Sequence, residues 1–81
     1  MNEEIRIKII EFYEEVIGDE IKNINGQYSL SRKLNSLEVM QIVVAIEDDF
    51  GIEFNGDELD YELFADIDKI VDIVSKKLDE E

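Results

Sequence analysis

Residues 34–50 read LNSLEVMQIVVAIEDDF, an apolar run headed by Asn35-Ser36 and closed by a burst of acid and Phe50. On a helical wheel Val39, Ile42, Val43, Ile46 and Phe50 fall at i, i+3, i+4, i+7 and i+11, the spacing of one buried helix face. That stripe by itself accounts for a core-facing side. Leu37, Met40 and Val44 make a second stripe, at i, i+3 and i+7, rimmed by Glu38, Gln41, Glu47 and Asp48. A helix with two apolar stripes either packs on two sides inside its own domain or offers one stripe to a partner with an apolar centre and a basic rim.

Outward from this helix the pattern stays helical. Ile5, Ile9, Phe12, Tyr13, Val16 and Ile17 line one face of residues 2–17, with Glu3 and Glu4 at the dipole's positive end and Gly18 as the stop. Residues 18–35 hold a turn signal at Asn25-Gly26, yet Ile21, Ile24, Tyr28, Leu30 and Leu34 are scattered among them. That mixture reads as a long packed crossover. Gly51 ends the central helix, and Ile52-Glu53-Phe54 alternates like a strand without offering itself a partner. Residues 57–62 suit a short helical turn. Asp66 caps a last helix carrying Ile67, Ile70, Val71, Val74 and Leu78, with Lys76 and Lys77 at its C-terminal end. The expected fold is all-α: a small four-helix bundle, three main helices plus one short, with a long crossover loop after the first. We take residues 1–81 as a single domain, which at this length buries about 60% of its unfolded surface.

Composition narrows the chemistry. Without Cys there is no thiolate nucleophile and no Cys-based zinc site; without His there is no imidazole base and no Ser-His-Asp triad. The net charge is −14, from 22 acids against 8 bases. Such a chain repels nucleic acid and anionic membranes and favours basic protein patches. Half of the acids fall between Lys33 and Lys69, a window with no base at all. No apolar run approaches the roughly 18 residues of a membrane span, and the N-terminus lacks a basic signal-peptide region. A cytoplasmic protein without membrane insertion is therefore expected. The acidic stretch DDFGIEFNGDELDYE fails the EF-hand pattern, since a loop with Gly56 or Gly51 at its sixth position would begin at Gly51 or Ile46. No metal site is assigned.

Ser36 has two readings. As an N-cap, Asn35-Ser36 would satisfy orphan backbone N–H groups, so that Ser36→Ala would cost about 1 kcal/mol. The same place, at the positive end of the helix, also tolerates an attached anion. Without a base beside it Ser36 is a poor self-activated nucleophile but a reasonable acceptor for a group that another enzyme installs.

The stretch NSLEVMQIVVAIEDDFGIEF resembles the acyl carrier proteins and the related peptidyl and aminoacyl carrier domains. The family pattern is an Asp-Ser-Leu attachment site, an apolar helix, an acidic cluster ending in Phe, and a short Ile-x-Ile-like segment. Here these read Asn35-Ser36-Leu37, Val39 to Ile46, Glu47-Asp48-Asp49-Phe50 and Ile52-Glu53-Phe54, with LFADIDKIVDIV similar to the family's last helix. The resemblance implies a non-catalytic carrier. Ser36 would hold 4′-phosphopantetheine, delivered from coenzyme A by a Mg²⁺-dependent phosphopantetheinyl transferase. Acyl or aminoacyl groups would ride on it as thioesters, loaded by a ligase or transferase and passed to downstream biosynthetic enzymes. Leu37, Glu38, Met40, Gln41, Val44, Glu47 and Asp48 would meet those partners, while Val43, Ile46, Phe54 and Ile67 would line a path for an acyl chain. A monomer is expected, since a shuttle keeps its face free.

Three departures from the family pattern point to a specialised carrier rather than the housekeeping fatty-acid one. Asn35 stands where acid usually precedes the serine, Ser31-Arg32-Lys33-Leu34 replaces a Gly-containing approach, and Gln41 is neutral. The alternative is an unmodified acidic interaction module that docks through Leu37, Met40 and Val44, with Ser36 only a cap.

Overall fold

Each of the three long apolar periodicities becomes a helix in the computed structural model, which describes residues 2–30 and 32–80, Asn2 by its backbone only. Ser31, in the approach to Ser36, lies outside the described residues. Helix α1 spans Asn2–Ile17, α2 Ser36–Phe50, α3 Tyr61–Phe64 and α4 Ile67–Asp79. The described residues thus form the expected bundle of three main helices and one short. None of these helices is long and apolar enough to cross a membrane.

The helix ends follow the local chemistry. Gly51 takes the left-handed backbone (φ 69°) and donates its N–H to the Glu47 carbonyl at 2.9 Å, a C-terminal geometry that strains residues bearing a Cβ. Asp66 caps α4 by accepting the Lys69 N–H at 3.3 Å, and Lys76 and Lys77 occupy the last turn.

Helix α1 packs on both α2 and α4, and α3 contacts those two as well. The core joins Ile9, Tyr13 and Ile17 of α1 to Val39, Ile42, Val43 and Ile46 of α2, and to Ile67, Ile70, Val71 and Val74 of α4. Ile52, Phe54 and Phe64 close it from the connection. Burying one such aliphatic or aromatic side chain contributes about 1.5–3 kcal/mol. Phe50, at the end of the same stripe, is only half-buried. The Phe54 and Phe64 rings meet edge to face at 5.4 Å. Tyr13 is fully buried, and its hydroxyl donates to the Phe64 carbonyl at 2.7 Å. Burial, aided by the charge of Asp66, pushes the Tyr13 phenol well above its ordinary range and so keeps it a donor.

Three details differ from the sequence reading. The crossover contains a small antiparallel hairpin, β1 (Lys22–Ile24) and β2 (Gln27–Ser29), with Lys22 opposite Ser29 and Ile24 opposite Gln27. Its two-residue turn is the anticipated Asn25-Gly26, both with positive φ (52° and 85°), which matches the twist of paired strands. The strands escape notice because three residues are too few to show a period of two. The Ile52-Glu53-Phe54 segment is not a strand. The Glu47 carboxylate accepts the Phe54 N–H at 2.9 Å and so replaces the missing ladder partner, while Ile52 and Phe54 still point inward. Finally, residues 57–62 divide between a 3-10 turn over Gly56–Glu58 and the start of α3, with Asp60 as the α3 cap.

Candidate functional site

Asn35, not Ser36, caps α2. Asn35 has an extended backbone, its side-chain oxygen accepts the Glu38 N–H at 2.9 Å, and the Glu38 carboxylate accepts the Asn35 N–H at 3.0 Å. This reciprocal pair is a capping box. It displaces the reading in which Ser36 does the capping, because two adjacent residues cannot both occupy the cap. Ser36 is instead the first helical residue, exposed to solvent. Its hydroxyl is not needed to hold the helix. The N–H groups of the first turn that the cap leaves over point outward and give that end partial positive charge.

Arg32 fixes the approach to the serine. Its guanidinium grips both Glu38 oxygens, at 2.7 and 2.5 Å, and reaches the Ile17 carbonyl at 3.4 Å. The end of the crossover is thereby tied to the C-terminus of α1 and the N-terminus of α2. The Arg32 guanidinium, helped by the Asn35 N–H, lowers the Glu38 carboxyl to about 2 against the opposing effect of burial. Glu38 was expected on an open partner-facing rim; the structure turns it into the helix start, 8% exposed.

The other expected surface residues divide in the same way. Leu37, Met40 and Val44 are 66%, 47% and 51% exposed, so the second stripe does not pack inside the domain. Gln41 and Asp48 are exposed beside it. Glu47 is half-buried with its carboxylate on the Phe54 N–H, and neighbouring Asp49 pairs with Lys8 at 3.2 Å. The face therefore carries fewer free carboxylates than the sequence suggests. Val43, Ile46, Phe54 and Ile67 come together, all within the closed core.

One feature of the site has no counterpart in the sequence reading. An open groove of about 1040 Å³ runs between the crossover hairpin and α3, with Ile24, Tyr28, Lys33, Leu34, Tyr61 and Ala65 along its walls. Ile24 and Tyr61 are each more than half exposed. The available signal was an Ile and a Tyr set alone in polar and acidic surroundings. Linking them required knowing that the hairpin folds back towards α3.

A family model described as "Phosphopantetheine attachment site" matches residues 8–74. No curated protein and no solved structure matches the chain. The residues present fit such a group: an exposed hydroxyl at Ser36, the N-terminal end of a fifteen-residue helix behind it, and Lys33 nearby in the approach. From this match, which spans most of its length, the chain belongs to the phosphopantetheine attachment-site family, the carrier domains to which 4′-phosphopantetheine becomes covalently attached.

Proposed function

We propose that Ser36 is the attachment residue, and that the protein carries acyl or aminoacyl intermediates as thioesters between the enzymes of a specialised biosynthetic route in the cytoplasm. The observation that supports this most is the division of labour at the start of α2. Asn35 and Glu38 hold the helix, leaving the Ser36 hydroxyl exposed and without a structural task. In the modification, the Ser36 oxygen forms a bond to the β-phosphorus of coenzyme A as the bond to the bridging oxygen breaks. The serine proton passes to a base on the transferase, and adenosine 3′,5′-bisphosphate leaves. The attached group supplies the thiol that this cysteine-free chain lacks. The chain's own part is presentation rather than catalysis: a rigid helix end, an anion-tolerant environment, and an apolar strip to seat successive enzymes.

Leu37, Met40 and Val44 would make the central contacts with the transferase, the loading enzyme and the downstream enzymes. Asp48 would meet basic residues at the rim, an arrangement that speeds encounter more than it prolongs residence. Neutral Gln41 and the basic Arg32-Lys33 approach support a dedicated set of partners over the housekeeping one. A monomer leaves this face open.

The test is intact mass after incubation with coenzyme A, Mg²⁺ and a promiscuous phosphopantetheinyl transferase. One phosphopantetheine is expected on the native chain and none on Ser36→Ala. No addition by several transferases would overturn the assignment and leave the unmodified docking module as the better account.

A further inference from the structure

We propose that Arg32 is a positioning residue for the attachment reaction: its guanidinium holds the end of the crossover clear of the Ser36 hydroxyl, so that an enzyme docked on α2 meets the serine uncovered. This inference rests on the assignment of Ser36 above, and it concerns a residue outside the docking stripe.

The first argument is what holds the approach. Between β2, which ends at Ser29, and the cap at Asn35, the described residues form neither helix nor strand. Among the described residues, the hydrogen bonds that hold residues 32–34 all come from the Arg32 guanidinium. It reaches the Lys33 carbonyl at 3.3 Å, the Ile17 carbonyl at 3.4 Å and both Glu38 oxygens at 2.7 and 2.5 Å. One planar fork thus joins three pieces of chain, a task that the compact ammonium of a lysine performs poorly. Glu38 is buried, so salt screens this pair less than an open one. Besides the guanidinium, only the half-buried Leu34 side chain anchors the segment to the core.

The second argument is where a loss would fall. Lys33 and Leu34 lie three and two residues from Ser36, at most about 11.4 and 7.6 Å between Cα atoms. Lys33 is exposed and makes no ion pair among the described residues. Released from Arg32, this segment is free to cross the start of α2, where the serine hydroxyl stands open. Transfer to that hydroxyl needs it in line with the incoming phosphorus, and small misplacements are costly in rate.

The third argument is that docking survives. Asn35 caps α2 through its own side chain, a bond that does not involve Arg32. Leu37, Met40 and Val44 therefore keep their places when Arg32 is replaced. The loss falls on the step after docking, so kcat drops while KM stays. The fold contains its own control: Lys8 of α1 meets Asp49 of α2 at 3.2 Å, about 20 Å along the helix from Ser36.

The test measures kcat and KM of the full chain as substrate of a promiscuous phosphopantetheinyl transferase with coenzyme A and Mg²⁺, from intact mass at early times and below the melting temperature. Arg32→Gln should lower kcat about tenfold and leave KM within about twofold. Arg32→Lys should recover only part of the loss. Glu38→Gln keeps the capping box but offers Arg32 a neutral partner, so it should lower kcat in the same direction, and the double variant should be no worse than Arg32→Gln alone. Lys8→Gln should leave kcat unchanged. In hydrogen exchange, Arg32→Gln should speed the Lys33 and Leu34 amides while Val39 keeps its protection. A rise in KM that Glu38→Gln does not reproduce would make Arg32 a direct transferase contact and overturn the inference. An equal loss in Lys8→Gln, or an unchanged kcat in Arg32→Gln, would overturn it too. A native chain that does not load at all would instead remove the Ser36 assignment, and the hydrogen exchange, which needs no loading, separates the two failures.

Discussion

Asn35 and Ser36 sit side by side, and the structure gives them separate tasks that substitution can pull apart. Asn35→Ala removes the oxygen that accepts the Glu38 N–H at 2.9 Å. Loss of an N-cap side chain costs about 1 kcal/mol, within a range of roughly 0.5–2. For a domain of this size, 1 kcal/mol lowers the melting temperature by about 4–8 °C. Ser36→Ala removes a hydroxyl with no capping role from the first helical position, where Ala has the better intrinsic propensity. Its change in stability is expected within about 0.5 kcal/mol. Asn35→Asp keeps the acceptor and restores an acid before the serine, so it should melt close to the native chain. The assay pairs thermal unfolding, followed by helical circular dichroism, with intact mass after the transferase reaction. Asn35→Ala should lose stability but still accept phosphopantetheine at a temperature where it is folded; Ser36→Ala should keep its stability and accept none. If Ser36→Ala melted as low as Asn35→Ala, the serine would be sharing the cap and the division of labour proposed here would be wrong.

Other expectations follow from the same geometry. Tyr13→Phe leaves the Phe64 carbonyl without its buried donor and should cost about 1–3 kcal/mol, read from urea denaturation midpoints; a neutral result would mean that water or another donor reaches that carbonyl. The Glu38 carboxyl is held at about 2, below its unfolded value near 4.5, so the stability it contributes is present above pH 4.5 and lost as pH falls towards 2. Melting temperatures of the native chain should therefore drop more steeply across that interval than those of Glu38→Gln, and parallel curves would contradict the Arg32–Glu38 grip. Val44→Asp on the exposed stripe should leave thermal stability nearly unchanged yet lower the transferase kcat/KM about tenfold, as for a contact worth ~1.4 kcal/mol. An unchanged kcat/KM would take the stripe out of transferase recognition.

How much of this was legible beforehand depends on how far apart the interacting groups lie. The capping box was in principle readable, since Asn35 and Glu38 have its three-residue spacing and Arg32 is close by in sequence. Ser36, beside Asn35, is also a capping residue type, and which of the two takes the cap decides whether Glu38 faces the rim or the helix start. Nothing in the sequence around Glu47 announces that its carboxylate must satisfy the Phe54 N–H once α2 ends at Gly51. The hairpin had only its turn, Asn25-Gly26, as a marker.

The sequence by itself determined the helices, the core stripe of α2, the second stripe left over, and the pattern around Ser36. These follow from periodicity, caps and short motifs, all local properties of the chain. The tertiary structure alone decided that Tyr13 of α1 donates to Phe64, 51 residues away, and that Arg6 of α1 joins the hairpin to α4. It alone set Ile24 and Tyr61 on the walls of one groove. Such pairings depend on how the helices pack and where the crossover folds back. Many arrangements share the same helical pattern, and only the packed chain selects one.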